Sequence, residues 1–186
     1  MDERPIIYVN RITNLSDARY CAGMGVDLLG FVIDPADPDY VNPASFQQMI
    51  GWVSGPKRVL EVGHAEVNLN FLREQYAPDY LHIPARRMNE FHDAPWKLIV
   101  EVPHDQWMPM KAESQVAFWI VTGHRDLRPQ GSAVPYLVPG HHLQGPVVDY
   151  LQATGAGGVV LSGSQESAPG LKDYDHLSQV LEELNG

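Results

Sequence analysis

Short apolar segments recur along the chain at intervals that suit alternating strands and helices. Eight of them are rich in β-branched residues and lie at positions 6–12, 27–33, 57–63, 79–83, 96–102, 116–122, 134–138 and 157–161. Most lack a strict alternation of polar and apolar residues, which is typical of strands covered on both faces in a parallel sheet. Their spacing predicts a series of repeated βα units.

The segments between these strands differ in helical quality. Helical patterns occupy positions 16–24, 43–53, 66–76 and 173–184. The first has Asn14 or Ser16 as its N-cap and Gly25 as its C-terminal stop. The last repeats its leucines and valine at the spacing of a packed helix face. Between positions 86 and 131 the helical signal is poor, so helices there are expected to be short or absent.

Eight βα units can close into a (β/α)8 barrel, the TIM-barrel fold. Such barrels usually contain about 250 residues, and about 200 is near the lower end. The chain has 186 residues. We therefore expect one compact barrel domain over residues 1–186, with shortened or missing helices in the middle units. A doubly wound open sheet is the competing architecture, and it leaves one or two of the eight segments unexplained.

Composition narrows the classes of function. The chain has 13 Lys and Arg against 23 Asp and Glu, a formal charge of −10, and such an acidic surface repels nucleic-acid backbones. A single Cys excludes a disulfide framework within the chain and a Cys-rich zinc module. The apolar runs are too short to cross a bilayer, and the first residues lack signal-peptide features. We expect a cytoplasmic protein that binds neither nucleic acid nor membrane, and its oligomeric state stays open.

Stretches near both ends of the chain carry a family resemblance. They read ITNLSDA at positions 12–18, GFVIDPADPDYVNP at 30–43 and SGSQESAPGLKD at 162–173. They resemble the ITNLEDA, GFVFYPKSPRYVSP and SSGVESSPGVKD patterns of phosphoribosylanthranilate isomerase, a small (β/α)8 enzyme of tryptophan biosynthesis. The resemblance implies a barrel fold and an Amadori isomerisation of an aminoaldose phosphate, in which an acid protonates the ring oxygen and a base takes the C2 proton.

The same resemblance exposes departures at the catalytic positions. The family's base is a Cys in a KICGIT pattern, where this chain has Asn10 followed by Arg11. Its acid is an Asp in a sixth-strand LLD pattern, where the alignment places Val121, although a shifted alignment makes Asp126 the acid. The Arg of its SPRY pattern, which faces the substrate carboxylate, is Asp39 here. We therefore expect that the standard acid–base pair does not operate in this chain.

The loops after the seventh and eighth strands match the family's phosphate-binding end better. There, the resemblance implies backbone N–H groups and a short helix N-terminus that hold the substrate phosphate. Glycine lets a backbone approach an anion, and serine adds a donor. The expected phosphate or anion site comprises Gly140, His141, Ser162, Gly163 and Ser164. The alternative is that these glycines are ordinary turn residues.

A second set of polar residues lies at the predicted C-terminal strand ends, where barrel active sites form. Six His are at or just beyond these ends: His64, His82, His104, His124, His141 and His142. Glu61 and Glu101 interrupt apolar strands, which is costly unless each carboxylate is paired or faces a polar cavity. His82, Glu61 and Glu101 are thus candidates for a relocated acid–base pair, and His82 also matches the family's QLHG pattern. A metal site with His64, His124 and His142 as candidates, or a merely polar rim, are the alternatives.

Three functions follow from these observations. The first is a diverged enzyme acting on a small phosphorylated metabolite with His and Glu at the barrel mouth. The second is a non-catalytic relative, a pseudoenzyme that retains an anion pocket. The third is a true phosphoribosylanthranilate isomerase with an atypical acid–base pair. We expect no cofactor in any of them.

Overall fold

A computed structural model of the protein describes residues 4–107, 113–123, 132–143, 145–163, 166–168, 171–172 and 175–185. Eight parallel strands are hydrogen-bonded in chain order and close into a barrel. The last strand pairs with the first over five residues, from Ile6 with Gly158 to Asn10 with Ser162. The predicted (β/α)8 barrel is therefore confirmed, and the open sheet is excluded because neither end strand has a free edge.

The elements follow the expected βα order. The barrel strands are β1 Ile6–Asn10, β2 Leu28–Val32, β3 Lys57–Glu61, β4 Tyr80–Pro84, β5 Lys97–Pro103, β6 Val116–Thr122, β7 Tyr136–Pro139 and β8 Gly158–Ser162. The helices are α1 Leu15–Gly23, α2 Pro43–Ile50, α3 Leu69–Gln75, α4 Val147–Thr154 and α5 Asp175–Asn185, and a small hairpin of β9 Glu166–Ala168 and β10 Leu171–Lys172 precedes α5. Each predicted strand segment overlaps one observed barrel strand, and β4, β5, β7 and β8 end one residue later than predicted.

The helices α1, α2 and α3 begin where the sequence provides an asparagine cap. Asn14 precedes α1 and accepts a hydrogen bond from the backbone N–H of Asp17 through its side chain. Asn42 does the same for α2, and Pro43 occupies the first helical position. The side chain of an N-cap satisfies a donor that the helix leaves unpaired, which stabilises the helix by about 1 kcal/mol. None of the helices in the described ranges is long and apolar enough to span a membrane.

In the described residues, the units after β4 and β5 are trimmed, as expected. Between β4 and β7, the described residues contain 3-10 turns at Ala85–Phe91, His104–Gln106 and Glu113–Gln115 in place of α-helices. The helix α4 was not predicted. It has no side-chain N-cap bond after Pro146, and it ends at Gly155 in a left-handed conformation with φ 69°. Its short, valine-rich start hides the helical pattern because β-branched residues favour strands.

The core has two layers separated by the strands. Seven residues fill the inside of the barrel: Tyr8, Leu28, Val59, Ile99, Ile120, Leu137 and Val160. The outer layer, between strands and helices, includes the fully buried rings of Trp119, Tyr76 and Phe46. Side chains alternate across a strand, so the inner face of β1 that carries Tyr8 ends at Asn10. By the same alternation, polar side chains at the C-terminal strand ends enter the barrel mouth.

Candidate active site

A polar cavity of about 300 Å³ opens at the C-terminal ends of β1 to β5. Its walls carry four carboxylates, two arginines and two histidines, which are Asp34, Asp37, Glu61, Glu101, Arg11, Arg86, His64 and His82. This is the end of the barrel at which loops and strand ends assemble catalytic groups. Three residues singled out from the sequence, Glu61, His82 and Glu101, are thus brought together.

His82 is the centre of this cluster. It lies on β4 and is 8% exposed. Its Nδ1 is 3.2 Å from the hydroxyl oxygen of Tyr8, and its Nε2 is 3.4 Å from Oε2 of Glu101. Complete burial raises the pKa of Tyr8 well above its usual value, so the hydroxyl stays protonated and donates to Nδ1. We therefore assign the Nε2–H tautomer, which donates to Glu101.

Glu61 is the buried carboxyl of the cluster, with 9% of the residue exposed. Its Oε1 accepts a hydrogen bond of 2.7 Å from the backbone N–H of Arg11, and its Oε2 is 4.0 Å from Nδ1 of His82. A Cβ atom at Gly30 would lie 2.5 Å from Oε1 of Glu61 and 2.6 Å from the Tyr8 hydroxyl oxygen. Glycine at position 30 therefore makes the room in which the Glu61 carboxyl and the Tyr8 hydroxyl sit inside the barrel.

The two glutamates have opposite electrostatic environments. Burial raises the pKa of Glu61 above the usual value, because a low-dielectric interior disfavours the charged form. The hydrogen bond from His82 lowers the pKa of Glu101, whose side chain is 47% exposed. Two carboxyl groups with pKa values pushed apart can serve as an acid and a base at the same pH. The relocated acid–base role of His82, Glu61 and Glu101 stays a prediction, and the two glutamates are the members of this group whose pKa values shift in opposite directions.

Replacing Glu61 with Gln should change how stability depends on pH. Because the pKa of Glu61 is raised in the folded state, its contribution to stability is fully present below its unfolded pKa and is lost as pH rises through the folded pKa. The Gln side chain retains the acceptor for Arg11 but does not titrate. We expect the unfolding free energy of E61Q, measured in urea, to rise relative to that of the wild type as pH increases.

The exposed Glu66 provides the matched control for this measurement. Plotted against pH, the unfolding free energies of E66Q and of the wild type should differ by a constant amount. If the unfolding free energy of E61Q also differed from that of the wild type by a constant amount at every pH, the pKa of Glu61 would not be raised in the folded state.

Arg11 ties the loop after β2 to the end of β1. Its Nε and Nη2 donate to Asp39 and Asp37 over 2.7 Å each. Its backbone is left-handed, with φ 57°, and this conformation turns the N–H toward Glu61. Sequence reasoning missed this role. The available signal was the Gly that the family pattern has at this position, because left-handed backbone favours glycine.

Asn10 ends β1 on the inner face of the barrel. Among the described residues, its Oδ1 is a buried side-chain acceptor without a hydrogen-bond partner. Its carbonyl oxygen accepts a hydrogen bond of 2.7 Å from the backbone N–H of Gly163. A buried acceptor left unpaired costs about 1–3 kcal/mol. A hydroxyl or N–H donor from a bound molecule would remove this cost.

The residues predicted to bind phosphate lie after β7 and β8. Gly140 begins the 3-10 turn Gly140–His142, and the ring of His141 is 4.2 Å from that of His142. Ser162 is exposed at the end of β8, but the N–H of Gly163 already donates to Asn10. Ser164 lies outside the described residues. The phosphate role of this group stays a prediction.

The metal hypothesis receives no support from the described part of the chain. No group of three His, Cys, Asp or Glu residues there is arranged to hold a metal ion. His64 follows β3 and His142 follows β7, on opposite sides of the barrel, so the two candidates do not meet. His124 and the alternative acid Asp126 lie outside the described residues.

The sixth strand corrects one detail of the sequence alignment. Val121 is 7% exposed and belongs to the outer core, so it faces the helices and not the mouth. Thr122, one residue later, shares the inner face with Ile120 by the alternation of side chains. The residue of β6 that reaches the mouth is therefore Thr122, which provides no carboxyl acid.

Curated relatives of the chain share one name, although no family model matches the chain. The N-(5'-phosphoribosyl)anthranilate isomerase of Nitrosomonas eutropha is 26% identical over 92% of both chains. That of Rhodopseudomonas palustris strain BisB18 is 29% identical over 84% of this chain and 85% of its own.

Solved structures show the same fold. The TrpF protein from Jonesia denitrificans superposes with a TM-score of 0.75 at 18% identity, over 98% of this chain and 97% of its own. The phosphoribosyl anthranilate isomerase from Thermus thermophilus gives a TM-score of 0.74 at 17% identity, over 97% and 98%. The closed eight-stranded barrel and these sequence relatives make the chain similar to phosphoribosylanthranilate isomerases in both fold and sequence.

Proposed function

We propose that the chain isomerises an aminoaldose phosphate of the N-(5'-phosphoribosyl)anthranilate type, with an acid–base pair that differs from the family's. Glu61 is the general acid, Glu101 is the general base, and His82 positions Glu101. One observation carries the proposal: His82 lies between two carboxyl groups whose pKa values are shifted in opposite directions. The relatives' names supply the substrate class.

The first half of the reaction opens the sugar ring. The protonated Glu61 carboxyl gives its proton to the ring oxygen, the C1–O bond breaks, and the nitrogen lone pair forms a C1=N bond. The positive charge on this iminium makes the C2 proton more acidic. The Glu101 carboxylate takes that proton, and the electrons of the C2–H bond form a C1=C2 double bond while those of C1=N return to nitrogen.

The second half restores both carboxyl groups. The protonated Glu101 returns its proton to C1, and the C2 hydroxyl gives its proton to the Glu61 carboxylate as the C2 carbonyl forms. No atom is gained or lost, so the product is the isomeric aminoketose phosphate. During these steps, His82 holds Glu101 through its Nε2–H, and Tyr8 fixes the orientation of the imidazole.

Asn10 fits the same scheme as a binding residue. Its buried Oδ1 lacks a donor in the described residues, and the open-chain sugar presents hydroxyl groups that donate. Asn has no proton to exchange near neutral pH, so it replaces the family's Cys as a hydrogen-bond acceptor and not as a base. Its role is to orient the sugar between the two glutamates.

The pH profile of turnover tests the pair. Glu101 acts as a carboxylate, so kcat/KM should fall as pH drops through its lowered pKa. Glu61 acts as a protonated acid, so kcat/KM should also fall as pH rises through its raised pKa. The measurement is loss of fluorescence of freshly prepared N-(5'-phosphoribosyl)anthranilate across a pH series. In E61Q the residual rate should show no alkaline limb.

Two outcomes would overturn the proposal. Folded protein without turnover at any pH would leave the barrel assigned and favour the non-catalytic alternative. Turnover with an unchanged alkaline limb in E61Q would show that another group is the acid. The E66Q variant, altered at an exposed carboxyl outside the cavity, should reproduce the wild-type profile.

A further inference from the structure

The barrel-mouth cavity contains two arginines with different surroundings. Arg11 is neutralised by Asp37 and Asp39, to which it donates over 2.7 Å each. Arg86 is the second residue of the 3-10 turn after β4, is exposed, and makes no ion pair with a carboxylate of the described residues. Its Nη2 is 3.1 Å from Nδ1 and 3.3 Å from Nε2 of His64. Arg86 is thus a cation of the cavity wall that helps to lower the pKa of Glu101 but forms no ion pair with it or with another carboxylate of the described residues.

The neighbouring Arg87 shows that this arrangement is specific to Arg86. Arg87 donates to the carbonyl oxygens of Gly63 and Ala65 and forms an ion pair of 2.7 Å with Glu90. These bonds fasten the loop after β3 to the turn after β4. Arg87 therefore holds the framework, while Arg86 lines the cavity beside His64.

The carboxylates around the cavity already have partners. Asp34 accepts from the backbone N–H groups of Ala36 and His64 over 3.0 and 3.3 Å. Glu61 accepts from the backbone N–H of Arg11, and Glu101 accepts from His82. These carboxylates are engaged by other donors, which leaves Arg86 available to an anion of a bound molecule.

We propose that Arg86 is the anion-recognition residue of the cavity and binds an oxyanion of the ligand, with His64 as a second contact. A guanidinium matches the two oxygens of a carboxylate or a phosphate through paired N–H groups. The inference rests on the proposed function, because a phosphorylated arylamine sugar carries both anions. The proposal places either the carboxylate or the phosphate on the β3–β4 side of the barrel mouth, across the barrel from the loops after β7 and β8.

Binding of separate anions tests this site without relying on turnover. The probes are 2-aminobenzoate, which has only the carboxylate, and ribose 5-phosphate, which has only the phosphate. Dissociation constants are measured by NMR titration or calorimetry on the full chain. We expect R86Q to weaken the binding of one of the two anions about 10- to 100-fold, because a charge-assisted hydrogen bond is lost. R86K retains the positive charge but not the paired N–H groups of a guanidinium, so its affinity for that anion should lie between those of R86Q and the wild type.

The matched control is Arg73, an exposed arginine in the last turn of α3. The R73Q variant should bind both probes as the wild type does. Weaker binding of 2-aminobenzoate to R86Q assigns the carboxylate to Arg86, and weaker binding of ribose 5-phosphate assigns the phosphate.

The proposal is overturned if neither anion binds to the wild type, or if R86Q binds both with unchanged affinity. Its failure is distinguishable from failure of the proposed function. If the protein binds an anion through Arg86 but shows no turnover, the anion site stands and the proposed isomerase activity fails. If R86Q turns over substrate with an unchanged KM, the proposed activity stands and the anion site at Arg86 fails.

Discussion

Replacing Glu101 with Gln should lower kcat for the isomerisation about 10²–10⁴-fold, the range that a general base contributes. Gln has nearly the shape of Glu and still accepts a hydrogen bond from Nε2–H of His82, but it cannot take a proton from C2. Because Glu101 is 47% exposed, the substitution should leave the unfolding free energy close to that of the wild type. Steady-state kinetics and urea unfolding of the same preparation measure both.

Two further variants separate chemistry from positioning. H82Q removes the imidazole that donates to Glu101, so kcat should fall while KM changes little. Y8F removes only the donor to Nδ1 of His82, 3.2 Å away. One such hydrogen bond contributes about 0.5–1.5 kcal/mol, so Y8F should cost roughly tenfold or less. If E101Q retained activity within tenfold of the wild type, Glu101 would not be the base.

The fold could be predicted because its signals are local. Most barrel strands are buried on both faces over much of their length, so they appear in the sequence as largely apolar segments, and eight such segments define the architecture. Asn14 marks the start of α1 in the same way. The helix α4 could not be predicted because its valines favour a strand, and only packing against its neighbours makes it helical.

The site could be predicted in part. Glu61 and Glu101 were detectable because a carboxylate in an apolar strand needs a polar partner, and His82 followed from its place at a strand end. Tyr8 was not detectable, because an aromatic residue in an apolar strand has the pattern of an ordinary core residue. Its role depends on the alternation that directs it toward His82, a residue 74 positions later in the chain.

Arg86 was missed for a different reason. A charged residue after a strand has the pattern of a solvated loop residue, and two arginines in succession give no indication of which one faces the cavity. Only the contacts distinguish them, since Arg87 is held by two backbone carbonyls and Glu90. Sequence patterns thus indicate well which residues are buried, but they do not indicate which long side chains form hydrogen bonds or ion pairs.

Replacing Gly158 with Ala should destabilise the protein more than other single-methyl changes, because the added carbon has no space where the barrel closes. A Cβ atom at position 158 would overlap the carbonyl oxygen of Ile6 and lie 2.8 Å from its carbonyl carbon and its amide nitrogen. All three atoms belong to the backbone of β1, which pairs with β8 over five residues. The strands would have to separate to admit the methyl group.

We expect G158A to lower the unfolding free energy by about 3 kcal/mol, at the upper end of typical overpacking costs, and Tm by about 6–12 °C for a chain of this length. Thermal and urea unfolding measure both quantities. Gly23 provides the control, because a Cβ atom there meets nothing within 4 Å at the end of α1. G23A should be neutral or stabilising by about 0.5–1 kcal/mol, since alanine costs less backbone entropy in a helix. A G158A protein as stable as G23A would mean that β1 and β8 do not approach as closely as the pairing requires, and the closure that brings Asn10 beside Gly163 would have to be redrawn.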